Sequence, residues 1–177
     1  MGNFKEDIVN VKAFVFDCDG VFTDGRIVML PSGEMLRSFH AKDGFAVSLA
    51  IKRGYPIAVI SGGKGEAMML RFRKLGVTDI YLSCGDKLEA LEDFRAKHAL
   101  NYENIMFMGD DIPDVEPMLQ CGLPVAPADA VPEVKNICRY ISNVKGGDGC
   151  VRDVIEQVLK AQGTWAAIGC ERDLFSL

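Results

Sequence analysis

Acidic side chains, a serine and a lysine follow the ends of short apolar segments along this sequence. Asp17 and Asp19 come directly after the first apolar run, and Asp110 follows a later one. Grouped carboxylates repel one another and favour a hard divalent cation such as Mg²⁺, which prefers oxygen ligands. A hydroxyl and an ammonium group, here Ser61 and Lys87, can donate hydrogen bonds to a phosphate. The residue types therefore point to phosphate chemistry assisted by a metal ion.

Two aspartates separated by one residue can divide the work of phosphate transfer. An ionised Asp17 beside a metal ion and Lys87 is a nucleophile, and its attack on phosphorus gives an aspartyl-phosphate. Asp19, offset along the turn, can hold a proton for the leaving group. The sequence thus predicts a Mg²⁺-dependent phosphomonoesterase that uses Asp17 as its nucleophile.

Each of these motifs has an ordinary structural explanation when it is taken alone. An Asp-x-Asp-Gly segment is often a turn, Asp110 and Asp111 suit a helix N-cap, and Lys87 suits a solvated surface. The order of the motifs favours catalysis, because each follows a different predicted strand. In an open parallel sheet the carboxyl ends of the strands share one edge, and ligands bind there.

Short apolar runs bounded by Gly, Asp or Pro alternate with longer amphipathic runs. Helical spacing predicts a helix capped by Asp43, then helices over 68–75, about 86–98 and 151–159. This alternation predicts an α/β fold, a doubly wound (Rossmann-like) parallel sheet that is covered on both faces. The runs typical of buried parallel strands are 11–16, 56–60, 80–82, 105–108 and 123–126.

One segment departs from this alternation. Residues 26–30 and 34–39 are strand-like runs joined by Pro-Ser-Gly, which predicts a projecting β-hairpin over 26–39. No segment between the motifs is long enough to form a separate cap domain. We therefore expect 1–177 to form a single domain, and we expect 164–177, which shows no pattern, to be a loosely held tail.

The composition argues against several classes of function. The formal charge is −5 and the basic residues are spread along the chain, which disfavours a nucleic-acid partner. The six cysteines form no CxxC pair and favour reduced thiols over a disulfide framework or a zinc site. The sequence shows neither an apolar signal core nor a run long enough to span a membrane, so we expect a soluble, cytoplasmic protein.

Four motifs lie along the chain: Asp-x-Asp-Gly-Val-x-Thr-Asp-Gly at 17–25, Ser61-Gly62, Lys87, and Gly-Asp-Asp-x-x-Asp at 109–114. Together they resemble the motifs of the haloacid dehalogenase superfamily of phosphatases. The first motif, the hairpin and the small size are similar to the capless branch of that superfamily. Over about 11–165 the chain is similar to the 3-deoxy-D-manno-octulosonate 8-phosphate (KDO 8-phosphate) phosphatases.

This resemblance implies a role for each acidic residue of the motifs. Asp17 would be the nucleophile and a magnesium ligand. Asp19 would be the general acid and base, and its backbone carbonyl would also bind the metal. Asp110 would be a further magnesium ligand, while Asp111 and Asp114 would support the water shell of the metal and the motif lysine.

The resemblance also implies how phosphate and sugar are bound. Ser61 and the Gly62 amide would hold a phosphate oxygen, and Lys87 would neutralise the phosphoryl charge and orient the nucleophile. Lys64 is assigned to the substrate site as well. Many relatives carry an arginine directly after the glycine of the second motif, where this chain has Gly63.

The resemblance also implies that the protein acts in the lipopolysaccharide pathway of Gram-negative bacteria. It further implies a homotetramer in which the hairpins form a barrel and a neighbouring subunit closes each site. Two alternatives stay open, a phosphatase for 2-keto-3-deoxynononate 9-phosphate and a non-catalytic, phosphatase-like oligomerisation module. Retention of all the motif residues favours an enzyme over such a module. A phospho-accepting receiver domain uses similar residue types but has no role for a second acid such as Asp19.

Overall fold

A six-stranded parallel sheet occupies the centre of residues 4–165, the part of the chain that the computed structural model describes. In chain order the strands are β1 (Ala13–Phe16), β2 (Val28–Met29), β3 (Met35–Leu36), β4 (Ile57–Ile60), β5 (Asp79–Tyr81), β6 (Ile105–Met108), β7 (Leu123–Ala126) and β8 (Tyr140–Ile141). Six of these strands form this sheet, and β2 and β3 form a separate hairpin. The strand order is β5–β4–β1–β6–β7–β8, and every neighbouring pair in this sheet is parallel. The chain therefore winds outward from β1 in one direction and from β6 in the other.

Helices cover both faces of this sheet. They are α1 (Phe4–Asp7), α2 (Ala41–Lys52), α3 (Glu66–Lys74), α4 (Lys87–Lys97), α5 (Val115–Gln120), α6 (Pro132–Ile137) and α7 (Cys150–Ala161). Alternate residues of β1 point to opposite faces, as strand geometry requires. Phe14 and Phe16 belong to the core beneath α2, α3 and α7, whereas Ala13 and Val15 belong to the core beneath α4, α5 and α6. The predicted doubly wound α/β fold is confirmed.

The predicted strands are all present, with small differences at their ends. The strands at 105–108 and 123–126 match the prediction residue for residue. β1 begins at Ala13, two residues later than predicted, and β5 is shifted one residue towards the N-terminus. The prediction missed β8, which is only two residues long and lies at the edge of the sheet. A strand this short shows no apolar periodicity.

The predicted hairpin lies where expected but contains less strand. β2 and β3 are antiparallel, with Val28 opposite Leu36 and Met29 opposite Met35. The side chains of Val28 and Met29 are 60 % and 70 % exposed. An isolated two-stranded hairpin is marginally stable in water. The described part of the chain therefore leaves an apolar hairpin surface uncovered.

The described residues include no separate cap domain, in agreement with the prediction. No helix within 4–165 is long and apolar enough to cross a bilayer. The start of the predicted loose tail is in fact anchored, because the hydroxyls of Thr164 and Tyr55 share a 3.1 Å hydrogen bond and Trp165 packs against Phe45. The remainder of the tail, 166–177, lies outside the described residues, and the single domain over 1–177 stays a prediction.

The cysteine side chains within the described range are unpaired. They are Cys18, Cys84, Cys121, Cys138 and Cys150.

Asp43 is not the cap of α2, and this prediction was wrong. The helix begins at Ala41, after His40, and Asp43 lies in its first turn with only 1 % of its surface exposed. Its Oδ1 accepts a 2.7 Å hydrogen bond from the backbone N–H of Arg152. Asp43 therefore caps the first turn of α7, whose own N-cap residue, Gly149, has no side chain to do so. The cap and the helix it serves are 109 residues apart, so no local pattern could reveal the contact.

The stability of the protein is expected to depend on pH through Asp43. Burial raises the pKa of Asp43 from 3.8 to about 6, against the opposing effects of the Arg152 amide and the charges of His40 and Arg152. The native state thus binds the proton more tightly than the unfolded chain. As pH rises from below 3.8 to above about 6, the free energy of unfolding should fall by on the order of 3 kcal/mol in total.

We expect Asp43→Asn to remove this loss, because asparagine is neutral at every pH and keeps a carbonyl acceptor for the Arg152 amide. Denaturant unfolding should show the variant gaining stability relative to the parent between about pH 4.5 and about pH 7.5. Asp43→Ala is the control, since it also removes the cap and should be the less stable of the two variants throughout. A difference between Asn variant and parent that does not change with pH would contradict this prediction.

Candidate active site

The carboxyl ends of β1, β4 and β6 open into one crevice of about 790 Å³. Asp17 directly follows β1, Ser61 directly follows β4, Asp110 lies two residues after β6, and Lys87 begins α4. All four line the crevice, as does Asp19. The crevice lies where the winding of the sheet reverses, between β1 and β6, and this is the usual ligand position in such sheets. The structure therefore brings the motif residues together, as expected.

Lys87 bridges two of the aspartates. Its Nζ lies 2.6 Å from Asp17 Oδ1 and 2.7 Å from Asp114 Oδ1. Burial alone would lower the pKa of Lys87, but the negative charges of Asp17 and Asp114 outweigh it and raise the pKa above its ordinary value. The lysine thus stays protonated and fixes the orientation of the Asp17 carboxylate.

Asp114 organises the loop after β6. Its Oδ2 accepts hydrogen bonds from the backbone N–H groups of Asp110 (3.1 Å) and Asp111 (3.4 Å), while Oδ1 faces Lys87. Asp111 takes the capping role considered from the sequence, because its Oδ1 accepts from the backbone N–H of Ile112 at 2.8 Å. The fourth motif is therefore partly structural, and it holds Asp110 towards the crevice.

Three carboxylates at the base of the crevice could hold a metal ion. One oxygen from each of Asp17, Asp110 and Asp114 lies within 4.8 Å of the others. Burial and, after it, the charges of neighbouring aspartates raise the pKa of Asp17 to about 7 and that of Asp110 to about 8, although the charge of Lys87 acts in the opposite direction. Among the described residues that line the crevice, Lys87 is the one cation. A hard divalent cation would relieve this repulsion, and the all-oxygen donor set suits Mg²⁺.

The side chain of Asp19 is held apart from this group. Arg37 donates from Nε to Asp19 Oδ1 at 2.6 Å and from Nη2 to Asp19 Oδ2 at 2.9 Å. The Thr23 hydroxyl donates to the same Oδ1 at 3.4 Å. These contacts are compatible with a metal ligand role for the backbone carbonyl of Asp19, as the resemblance implies, rather than for its carboxylate. The sequence-based prediction did not identify Arg37. The sequence shows only that a basic residue lies at the end of the second hairpin strand, which does not point to a contact with Asp19.

Gly20 allows the first and fourth motifs to approach each other. A Cβ atom at this position would lie 2.0 Å from Asp110 Oδ2, and the backbone φ is +92°, which disfavours other residues. Any side chain here would displace Asp110.

The second motif lines the crevice only in part. Ser61, Gly62 and Gly63 border it, and the Ser61 hydroxyl accepts a 3.1 Å hydrogen bond from the backbone N–H of Gly63. Lys64 instead lines a separate cleft of about 430 Å³ together with Glu34 of the hairpin turn. The structure does not bring Lys64 into the crevice, and its role in substrate binding stays a prediction.

Comparisons with known proteins agree with this arrangement. Residues 57–154 match the family model of the haloacid dehalogenase-like hydrolases. Over 154 residues the chain is 37 % identical to 3-deoxy-D-manno-octulosonate 8-phosphate phosphatase KdsC of Escherichia coli K12, a match that covers 87 % of this chain and 82 % of that protein.

Solved structures of phosphatases with the same name are also similar to this chain. The crystal structure of the 3-deoxy-D-manno-octulosonate 8-phosphate phosphatase from Yersinia pestis is similar with a TM-score of 0.88 at 34 % identity, covering 90 % of this chain and 86 % of that one. The enzyme of the same name from Moraxella catarrhalis, crystallised with magnesium ion, phosphate ion and KDO, has a TM-score of 0.87 at 28 % identity and covers 90 % and 91 %. The chain therefore belongs to the haloacid dehalogenase-like hydrolase family.

Proposed function

We propose that this protein is a Mg²⁺-dependent phosphatase that hydrolyses KDO 8-phosphate to KDO and phosphate. The observation that carries the proposal is the placement of the Asp17 carboxylate, 2.6 Å from the Lys87 ammonium and within an acidic group suited to a divalent cation. The relatives named above, which match most of the chain, support the choice of substrate.

In the proposed reaction, a carboxylate oxygen of Asp17 attacks phosphorus and the bond from phosphorus to the sugar oxygen breaks. Asp19 gives a proton to that oxygen as it leaves. Water then attacks the aspartyl-phosphate, Asp19 takes the proton of the water, and phosphate departs from Asp17. Asp17, Asp110 and the backbone carbonyl of Asp19 would hold Mg²⁺, which would offset the negative charges of the phosphate and of the two carboxylates.

The remaining residues would hold the phosphoryl group during both steps. The Lys87 ammonium, the Ser61 hydroxyl and the Gly62 amide are donors at the crevice. Donors placed in advance stabilise charge that develops in the transition state without a cost of reorganisation.

A phosphate-release screen tests the substrate. Purified protein with Mg²⁺ is assayed against KDO 8-phosphate, 2-keto-3-deoxynononate 9-phosphate, a sugar phosphate without a carboxylate, and an aryl phosphate. We expect the highest kcat/KM on KDO 8-phosphate, roughly 10-fold or more above that on the nine-carbon acid. One carbon more or less in a substrate typically changes the free energy of transition-state binding by about 1–3 kcal/mol. A preference for the nine-carbon acid would overturn the choice of sugar. Absence of phosphate release from every compound would favour the non-catalytic module.

We also propose that the protein forms a homotetramer through its hairpins. The uncovered side chains of Val28, Met29 and Leu36 support this, since pairing between hairpins would bury them and remove exposed strand edges. The cytoplasmic location predicted from the sequence stays a prediction.

The oligomer is tested by placing a charge on the hairpin. Val28→Glu should yield species smaller than a tetramer in light scattering, because the glutamate would have to be buried between subunits. Val9→Glu is a matched control, since Val9 is 54 % exposed and lies outside the hairpin. A Val28→Glu protein with the same mass in solution as the parent would show that the hairpin does not mediate assembly.

A further inference from the structure

Arg37 holds Asp19 with two parallel hydrogen bonds. The distances of 2.6 Å and 2.9 Å join Nε and Nη2 to the two different oxygens of the carboxylate, which is the fork geometry of a strong pair. The side chain of Arg37 is 3 % exposed, whereas that of Asp19 is 27 % exposed. The arginine thus lies behind the aspartate, and the aspartate faces the crevice.

Arg37 makes no other polar contact in the part of the chain that the structure describes. Its Nη1 is buried and has no hydrogen-bond partner there. The residue also does not line the crevice. Its polar contacts are therefore directed at Asp19 and not at the substrate.

The turn after β4 closes around this pair. A Cβ atom at Gly63 would lie 3.0 Å from Arg37 Nη2, 3.0 Å from Asp19 Oδ2 and 3.2 Å from the Ser61 hydroxyl. These distances are tighter than ordinary contacts, so any larger residue at position 63 would press on the ion pair. Gly63, close to Asp19 Oδ2, and the Thr23 hydroxyl, which donates to Asp19 Oδ1, therefore both lie against the Asp19 carboxylate.

We propose that Arg37 is a positioning residue, which fixes the Asp19 carboxylate for proton transfer to the leaving sugar oxygen, and that Gly63 leaves the room this pair needs. The proposal rests on the proposed function, in which Asp19 is the general acid and base. Proton transfer requires donor and acceptor within about 2.6–3.2 Å of each other. A carboxylate has about four lone-pair sites, so the fork leaves others free to carry the proton.

Substrates with different leaving groups can distinguish this positioning role of Arg37 from a purely structural one. The sugar alkoxide is a poor leaving group and needs a proton as the bond to phosphorus breaks. The phenolate of p-nitrophenyl phosphate leaves without one. Loss of a well-placed acid should therefore slow the sugar phosphate far more than the aryl phosphate.

The test compares kcat on both substrates for Arg37→Met, which keeps the length but has no donors, and Arg37→Lys, which has no fork. We expect kcat on KDO 8-phosphate to fall about 10- to 100-fold for Arg37→Met, with a much smaller change on p-nitrophenyl phosphate. Arg37→Lys should restore only part of the loss. Gly63→Ala keeps the arginine but crowds the pair, and it should show the same selective loss even if the Met variant does not fold.

Asp19→Asn is the reference for loss of the acid itself. If the parent and Asp19→Asn behave as expected but the Arg37 and Gly63 variants lose activity equally on both substrates, or lose none, then the positioning role is wrong and the proposed function stands. If the parent releases no phosphate from sugar phosphates, the proposed function itself fails.

Discussion

Asp17→Asn is expected to lower kcat on KDO 8-phosphate by roughly 10⁴-fold or more, which corresponds to at least about 5.4 kcal/mol of activation free energy. The amide keeps the shape of the side chain but removes the nucleophilic oxygen, so the covalent route through the aspartyl-phosphate is closed. Asp17 directly follows the buried β1, and Lys87 Nζ holds its carboxylate at 2.6 Å. Phosphate release under saturating substrate and Mg²⁺ measures the effect.

The fold of this variant should survive, because the substitution removes one charge from three crowded carboxylates. Lys87 also keeps its 2.7 Å contact with Asp114. We expect a melting temperature in chelator no lower than that of the parent. Asp93→Asn is the matched control, since Asp93 lies on α4 outside the crevice and accepts a hydrogen bond from Tyr81, which asparagine can also accept. A kcat of Asp17→Asn within tenfold of the parent would remove Asp17 from the nucleophile role.

Chelation of divalent metal is expected to abolish activity, and Mg²⁺ should restore it far better than Ca²⁺. Without a metal ion, the carboxylates that line the crevice would repel the doubly charged phosphate, and Lys87 is the one cationic side chain among the described lining residues. Mg²⁺ holds its ligands at short distance in octahedral geometry, whereas Ca²⁺ accepts more ligands at longer distance and can take both oxygens of a carboxylate. A nucleophile held by both oxygens is poorly placed to attack.

The metal site can also be tested without turnover. Mg²⁺ should raise the melting temperature of the parent, because a ligand at about 100 times its Kd stabilises the native state by about 2.7 kcal/mol. Asp110→Asn should lose most of this shift, whereas Asp93→Asn should keep it. Equal rates with Mg²⁺ and Ca²⁺, or full activity in chelator, would show that the acidic group is not a magnesium site.

The sequence by itself determined every strand of the sheet except β8, and it determined which motif residues follow those strands. β4, β6 and β7 could be recognised because buried parallel strands are short, continuous apolar runs. Once the strands were known, the placement of Asp17, Ser61 and Asp110 followed, since parallel strands end at the same edge. These inferences rest on local composition and on a general rule of topology, and both can be read along the chain.

Only the tertiary structure decided which side chains pair across that edge. Arg37 reaches Asp19 because the hairpin folds back over the first motif, and Asp43 caps α7 from a position 109 residues away. Lys64 follows the second motif in sequence, yet it lines a neighbouring cleft. Contacts of this kind depend on the path of the chain in space and on the room left by neighbours such as Gly63. Neither property produces a periodic pattern or a fixed residue spacing, so neither can be recognised in the sequence.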